Sequence, residues 1–134
     1  MIERDFPASD EVLDDVMAFV EEELDKAECP LRASMQIAVA AEEIFVNIAH
    51  YAYPCGQGWM NLAICYEDGI ITLRFTDSGI PFDPLAMEDP DITLNADERD
   101  IGGLGIFMVK KSMDEVNYER RGGQNIFTIS RKIG

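Results

Sequence analysis

The sequence predicts an α+β domain, a two-layer sandwich with helices on one face of a mixed, mainly antiparallel sheet. Three observations lead there. Two long segments near the N-terminus carry apolar residues at helical spacing. Later segments alternate in polarity over strand lengths. The strands come in adjacent pairs joined by short turn signals, Asp68-Gly69 and Gly122-Gly123, as in antiparallel hairpins.

Each element follows in order. The stretch IERDF, residues 2–6, reads as a short edge strand. Ser9 then caps a helix with Val12, Val16, Phe19, Val20, Leu24 and Ala27 at helical spacing. Acidic residues, including Glu21-Glu22-Glu23, fill the remainder of that helix as a solvated face. Pro30 suits the first turn of a second helix, which runs to about Tyr53 before Pro54 stops it. The segments MNLAICYE and IITLRFTD form a hairpin around Asp68-Gly69. A Pro- and Asp-rich loop from Ser78 to about Ile101 is long for a compact domain and predicts a functional lid. Gly102-Gly103-Leu104-Gly105 opens a short helix, IFMVKKSM, and the strands EVNYERR and NIFTISRK close the chain.

Composition narrows the function. The 134 residues suit one domain, residues 1–134, and the hydrophobic fraction of 47% supports a packed core. No apolar run reaches the roughly 18 residues of a membrane span. The acidic N-terminus lacks the apolar core of an export signal, so a cytoplasmic protein is expected. Three cysteines without CxxC spacing and a single histidine argue for reduced thiols rather than zinc. The net charge of −15 repels nucleic acid and anionic membranes and suits a basic protein partner.

The second helix holds the oddity. At 100° per residue, Arg32, Gln36, Glu43, Asn47 and His50 fall in a polar ridge about 60° wide. Leu31, Met35, Ile37, Val39, Ile44, Phe45, Val46 and Ile48 cover most of the remainder, which predicts burial of about two-thirds of the circumference. Alone, the ridge fits either a solvated face or a pocket floor. The stretch DSGIPF, residues 77–82, fits either an ordinary turn or a site where Asp77 meets an exocyclic amine beside bare Gly79. The run of glycines at 102–105 fits a plain joint or a phosphate cradle of uncovered amides at a helix N-terminus. It is neither a dinucleotide fingerprint nor a Walker loop.

Taken in order, these pieces resemble the GHKL ATP-binding superfamily, and within it the bacterial anti-sigma factor serine kinases of the RsbW/SpoIIAB type. The resemblance rests on Glu43-Ile-Phe-Val-Asn47 with Tyr51-Ala-Tyr53, on Asp77-Ser-Gly79-Ile-Pro-Phe82-Asp83, on Gly103-Leu104-Gly105, and on Met113-Asp-Glu-Val116. It covers essentially the whole chain and implies the Bergerat ATP-binding fold, with a lid over about 83–101.

The resemblance also implies roles. Asn47 would ligate Mg²⁺ on the phosphates of ATP, which suits an amide oxygen and a hard cation. Glu43 would be the general base for the attacking hydroxyl. Asp77 would read the adenine amino group beside Gly79, and Gly103, Leu104 and Gly105 would wrap the phosphates. Arg99 would sit where a lid cation meets the γ-phosphate. Two departures stand out. Gln124-Asn125 replaces the Gly-Thr common on the last strand, so Asn125 would stand in for the threonine hydroxyl. Tyr51 holds a position often occupied by His, and His50 reads as a rim or capping residue. Lys110 and Lys111 read as surface charges, the methionines as core filling, and Trp59 as packing or a dimer contact.

The implied function is a Mg-ATP-dependent serine/threonine-protein kinase. It would sequester a sigma factor or similar regulator, phosphorylate an antagonist protein, and act as a homodimer. The alternative is a catalytically silent ATP-binding regulatory module. The catalytic domain of a histidine kinase is disfavoured, because no phospho-acceptor helix pair precedes the first strand.

Overall fold

The computed structural model describes residues 1–54, 56–86 and 101–133. A five-stranded sheet has the order β1-β2-β3-β5-β4. Its strands are β1 (Ile2–Pro7), β2 (Trp59–Glu67), β3 (Ile70–Asp77), β4 (Glu115–Arg121) and β5 (Gln124–Lys132). Among the described residues every pairing is antiparallel, in keeping with the α+β sandwich on a mainly antiparallel sheet that the sequence predicts. Both hairpins turn on two residues with positive φ, Asp68 (54°) with Gly69 (77°) and Gly122 (58°) with Gly123 (78°). That is the twist-matched type I′ turn.

Among the described residues three α-helices cover one face: α1 (Leu13–Lys26), α2 (Leu31–Asn47) and α3 (Ile101–Ser112). Ser9 caps a 3₁₀ turn at Asp10–Val12 that leads into α1, its Oγ accepting from the Glu11 N–H at 3.3 Å. The core lies between the layers. Val16, Phe19, Val20 and Leu24 of α1 meet Leu62, Leu73, Phe75, Phe127 and Ile129 of the sheet, with Ile37, Ala41, Ile44 and Phe45 of α2 among them.

Strand period places the polar groups that matter. Along β3, Ile71, Leu73 and Phe75 point inward, so Asp77 does too. Along β5 the same count carries Asn125 inward with Phe127 and Ile129. The register sets Asp77 directly opposite Asn125.

Two expectations for α2 change. First, the α-helix ends at Asn47, and Ile48–Ala52 widen into a π-helical turn. The Ala52 carbonyl accepts from the Ile80 N–H at 2.8 Å, so the loop after β3 takes up a helix-end acceptor. Second, the apolar surface is less buried than the residue pattern suggests. Ala33, Ala40 and Ala41 are buried where α2 sits between α1 and α3, whereas Leu31, Met35 and Val39 are exposed. Small side chains allow the close helix approach, and the larger ones are left on the open side. The methionines likewise divide: Met60 and Met113 fill the core, while Met35 and Met108 lie on the surface.

Candidate functional site

Glu43 and Asn47 project from adjacent turns of α2, both half-buried. Burial pushes the Glu43 carboxyl above its ordinary value, and the neighbouring Glu42 adds to this. The Asn47 amide, one turn away, opposes the shift.

Below Asn47 a cleft opens between α2 and the sheet. It is lined by Asn47, Ile48, Asp77, Phe82, Asn125 and Phe127, among others. Its enclosed volume is about 30 Å³, room for one or two waters. Glu43 stands one turn further along α2 and is not part of this lining.

Asp77 is 3% exposed and Asn125 is 5% exposed. The Asp77 Oδ1 accepts from the Gly79 N–H at 2.8 Å and from Asn125 Nδ2 at 2.9 Å. Its Oδ2 has no hydrogen-bond partner among the described residues. Asn125 Nδ2 also donates to the Ile80 carbonyl at 2.8 Å. Its Oδ1 accepts from the Tyr118 hydroxyl and from the Phe82 N–H at 3.4 Å. Both amide hydrogens are therefore taken by the protein. Asn125 holds Asp77 and the following loop, which differs from the ligand contact expected of a threonine substitute.

Gly79 is bare for a reason internal to the fold. A Cβ there would lie 2.2 Å from the Ala52 carbonyl oxygen. The missing side chain lets the loop seat on the π turn, whereas the sequence suggested space for a ring. Further contacts fix this loop, from Arg120 and Tyr118, which were not singled out in the sequence, and from Tyr51 and Tyr53 of the motif. Arg120 Nη1 donates to the Gly79 carbonyl at 2.8 Å. The Tyr53 hydroxyl donates to the Trp59 carbonyl and accepts from the Ser78 N–H, both at 2.8 Å. Tyr51 stacks on Phe82 with ring centroids 5.7 Å apart. Tyr118 and Arg120 share a face of β4 at period two, the one signal that could have found them.

The other predicted residues divide. His50 Nε2 lies 2.7 Å from the Asp10 carboxylate on the exposed surface, in keeping with a rim position. Gly103, Leu104 and Gly105 fall inside α3, which begins at Ile101, so they form its first turns rather than a loop before it. The first four amides of a helix have no intrahelical acceptor. Arg99 and most of the expected lid, residues 87–100, lie outside the described residues.

No group of three or more His, Cys, Asp or Glu suited to a metal is found among the described residues. Mg²⁺ needs no such group. It takes one or two protein oxygens and keeps waters and phosphates as its other ligands. The side-chain amide oxygen of Asn47, which lines the cleft, fits that demand.

Five antiparallel strands under three helices, with a buried carboxylate at a strand end facing a Glu-Asn helix, form the architecture of a nucleotide-binding ATPase domain. The chain belongs to the histidine kinase-like ATPase domain family, whose model matches residues 6–131. It is 25% identical over 100 residues to the serine/threonine-protein kinase BtrW of Bordetella bronchiseptica, a match that covers 74% of this chain and 70% of the relative. Its fold is similar to the RsbU and RsbW domains of Rv1364c from Mycobacterium tuberculosis, with a TM-score of 0.65 at 15% identity. That match covers 99% of this chain but only 33% of the larger one. The SiaB-SiaC complex from Pseudomonas aeruginosa gives a TM-score of 0.61 at 16% identity, covering 99% of this chain and 90% of the other. Among the described residues no helix is long and apolar enough to cross a membrane.

Proposed function

We propose that this protein is a Mg-ATP-dependent serine/threonine-protein kinase that phosphorylates an antagonist protein and sequesters a sigma factor or similar regulator. The observation that carries the reading is Glu43. Its carboxyl is held above its ordinary value by burial, one turn from the Asn47 amide that lines the cleft. A general base works best when its pKa approaches the working pH, and burial of a carboxylate moves it that way.

In this reading Asn47 is the protein ligand to Mg²⁺, and Mg-ATP when bound supplies the phosphoryl group. Glu43 accepts the proton of the substrate hydroxyl as it attacks. Asp77 offers Oδ2 to the adenine amino group, and Asn125 keeps its other oxygen in place. The motif extends the pocket to Gly79, Arg99, Gly103, Leu104 and Gly105, the last three at the N-terminal end of α3, where amides and helix dipole favour phosphate. The domain works as one unit over residues 1–134. The net charge of −15 favours protein partners over nucleic acid. Cys29 and Cys65 are free thiols, which supports a reducing cytoplasm. We assign the working form to a homodimer.

The test is phosphate transfer from labelled ATP to a candidate antagonist protein in the presence of Mg²⁺. The wild type should label a serine or threonine. Glu43→Gln should bind nucleotide and label the antagonist on the order of 10³-fold more slowly. A wild type that binds ATP but transfers no phosphate to any antagonist would support the silent regulatory module instead. Sedimentation equilibrium separates the homodimer from a monomer.

A further inference from the structure

The open side of α2 carries Leu31, Met35 and Val39, which are 77%, 61% and 61% exposed. At i, i+4 and i+8 they stack along one face. Met108 of α3, 52% exposed, joins them across a groove that also holds Gln36, Ala40 and Val109. On the other flank the groove between α1 and α2 is lined by Glu21, Asp25, Leu31 and Met35. Contiguous apolar surface of this kind usually marks an interaction site.

From this arrangement we infer that the α2 face is the docking surface for a basic amphipathic helix of a protein partner. Three features select that occupant. The stripe runs for about 12 Å along the helix axis, the length of two turns of a partner helix lying in a groove. Glu21 and Asp25 form no ion pair among the described residues, so the α1 edge offers uncompensated negative charge beside the apolar stripe. Lys26, the cation of α1, is already taken by Glu22 at 3.5 Å and Glu23 at 3.1 Å. The third feature is Gln36. Its Oε1 is buried without a hydrogen-bond partner among the described residues, and the residue lines the α2–α3 groove. A buried orphan acceptor is costly, and turning the Gln36 side chain into the groove would let a donor on the incoming chain relieve it.

The proposed homodimer is assigned to another face, because a second copy seated here would bring its own acidic α1 edge against Glu21 and Asp25. Exposed methionines at Met35 and Met108 suit a partner surface that adapts to its ligand. The placement also matters for the site. Val39 is one turn before Glu43 on α2, so a partner seated here lies within reach of the proposed base. The inference rests on the reading above only for the existence of a protein partner.

The probe is a synthetic 14-residue helical peptide with leucines on one face and lysines flanking them. Its counterpart carries glutamates in the lysine positions. Binding is followed by fluorescence anisotropy and by amide shifts of the labelled protein. The lysine peptide should bind at least about 10-fold tighter than the glutamate peptide, with shifts confined to the α1–α2 and α2–α3 grooves. Leu31→Ser with Met35→Ser should weaken it by about 10-fold or more. Glu21→Gln with Asp25→Asn should weaken it several-fold and flatten its salt dependence. Glu67→Gln with Asp68→Asn removes the same charge from the β2–β3 turn and should change affinity less than twofold. All variants should keep the wild-type circular dichroism and ATP affinity, so failure here is distinguishable from failure of the nucleotide reading. Equal binding by every variant, or an equal effect of the Glu67/Asp68 control, would show attraction to net charge alone and overturn the proposal. So would a homodimer that Leu31→Ser with Met35→Ser dissociates, because the second copy would then cover this face.

Discussion

Asp77 and Asn125 face each other across β3 and β5, buried together, and one oxygen of Asp77 accepts from the Asn125 amide at 2.9 Å. These are the buried polar side chains of the described core. Their contact keeps a carboxylate inside the protein without a cationic partner, because amide donors take the place of a counter-ion. Removing the amide should therefore harm more than one bond. Asn125→Ala is expected to cost about 2–4 kcal/mol by leaving Asp77, the Ile80 carbonyl and the Tyr118 hydroxyl unmatched. Asn125→Thr should recover part of this. Urea unfolding curves of the three proteins check the order.

Tyr118 contributes through the same network. Tyr118→Phe deletes the hydroxyl that donates to Asn125 and keeps the ring beside Phe127. The expected loss is about 1 kcal/mol. A double-mutant cycle with Asn125→Ala should show the two effects to be non-additive. Additive losses would separate Tyr118 from this network.

Gly79→Ala places a methyl group 2.2 Å from the Ala52 carbonyl oxygen, which is backbone and cannot swing aside. The expected cost is at least about 2 kcal/mol, or a fall in Tm of roughly 8 °C for a domain of this size. Calorimetry checks it. An unchanged Tm would mean that the loop does not seat on the π turn.

Glu43 yields a pH signature. Its carboxyl is raised above the ordinary value of 4.5, chiefly by burial. Between 4.5 and the folded-state value the native protein holds more protons than the unfolded chain, so this group's contribution to stability falls as pH rises through that window. Above it the cost is fully present. Glu43→Gln lacks the ionisation and should be more stable than wild type at pH 7, seen as a higher Tm. The difference should vanish below pH 4.5. A variant more stable by the same margin at pH 4 and pH 7 would remove burial as the cause.

Much of the fold was legible because strand period and turn chemistry are local. The inward run Ile71, Leu73, Phe75, Asp77 is written in β3, and Asp68-Gly69 needs nothing beyond its own φ angles. The ridge of Glu43 and Asn47 was legible for the same reason, as a break in a helical pattern. What escaped depends on distant partners. The widening of α2 after Asn47 follows from the Ile80 amide, which meets Ala52 only in the folded chain. The exposure of Leu31, Met35 and Val39 could not be read from residue type, since apolar residues ring most of α2 and only packing against α1 and α3 decides which are covered. Tyr118 and Arg120 reach the site through cross-strand register, which one strand alone does not reveal. The use of Asn125 to clamp Asp77 required the same pairing.

The central claim is that the cleft between Asn47 and Asp77 holds Mg-ATP, and isothermal titration of ATP with and without Mg²⁺ tests it most directly. The wild type should bind in a Mg²⁺-dependent manner. Asp77→Asn, which keeps Oδ1 as an acceptor, should fold normally and lose on the order of 100-fold in affinity, while Asn47→Ala should lose the Mg²⁺ dependence. A wild type that binds no ATP, or an Asp77→Asn protein that binds it as tightly as the wild type, would contradict the account.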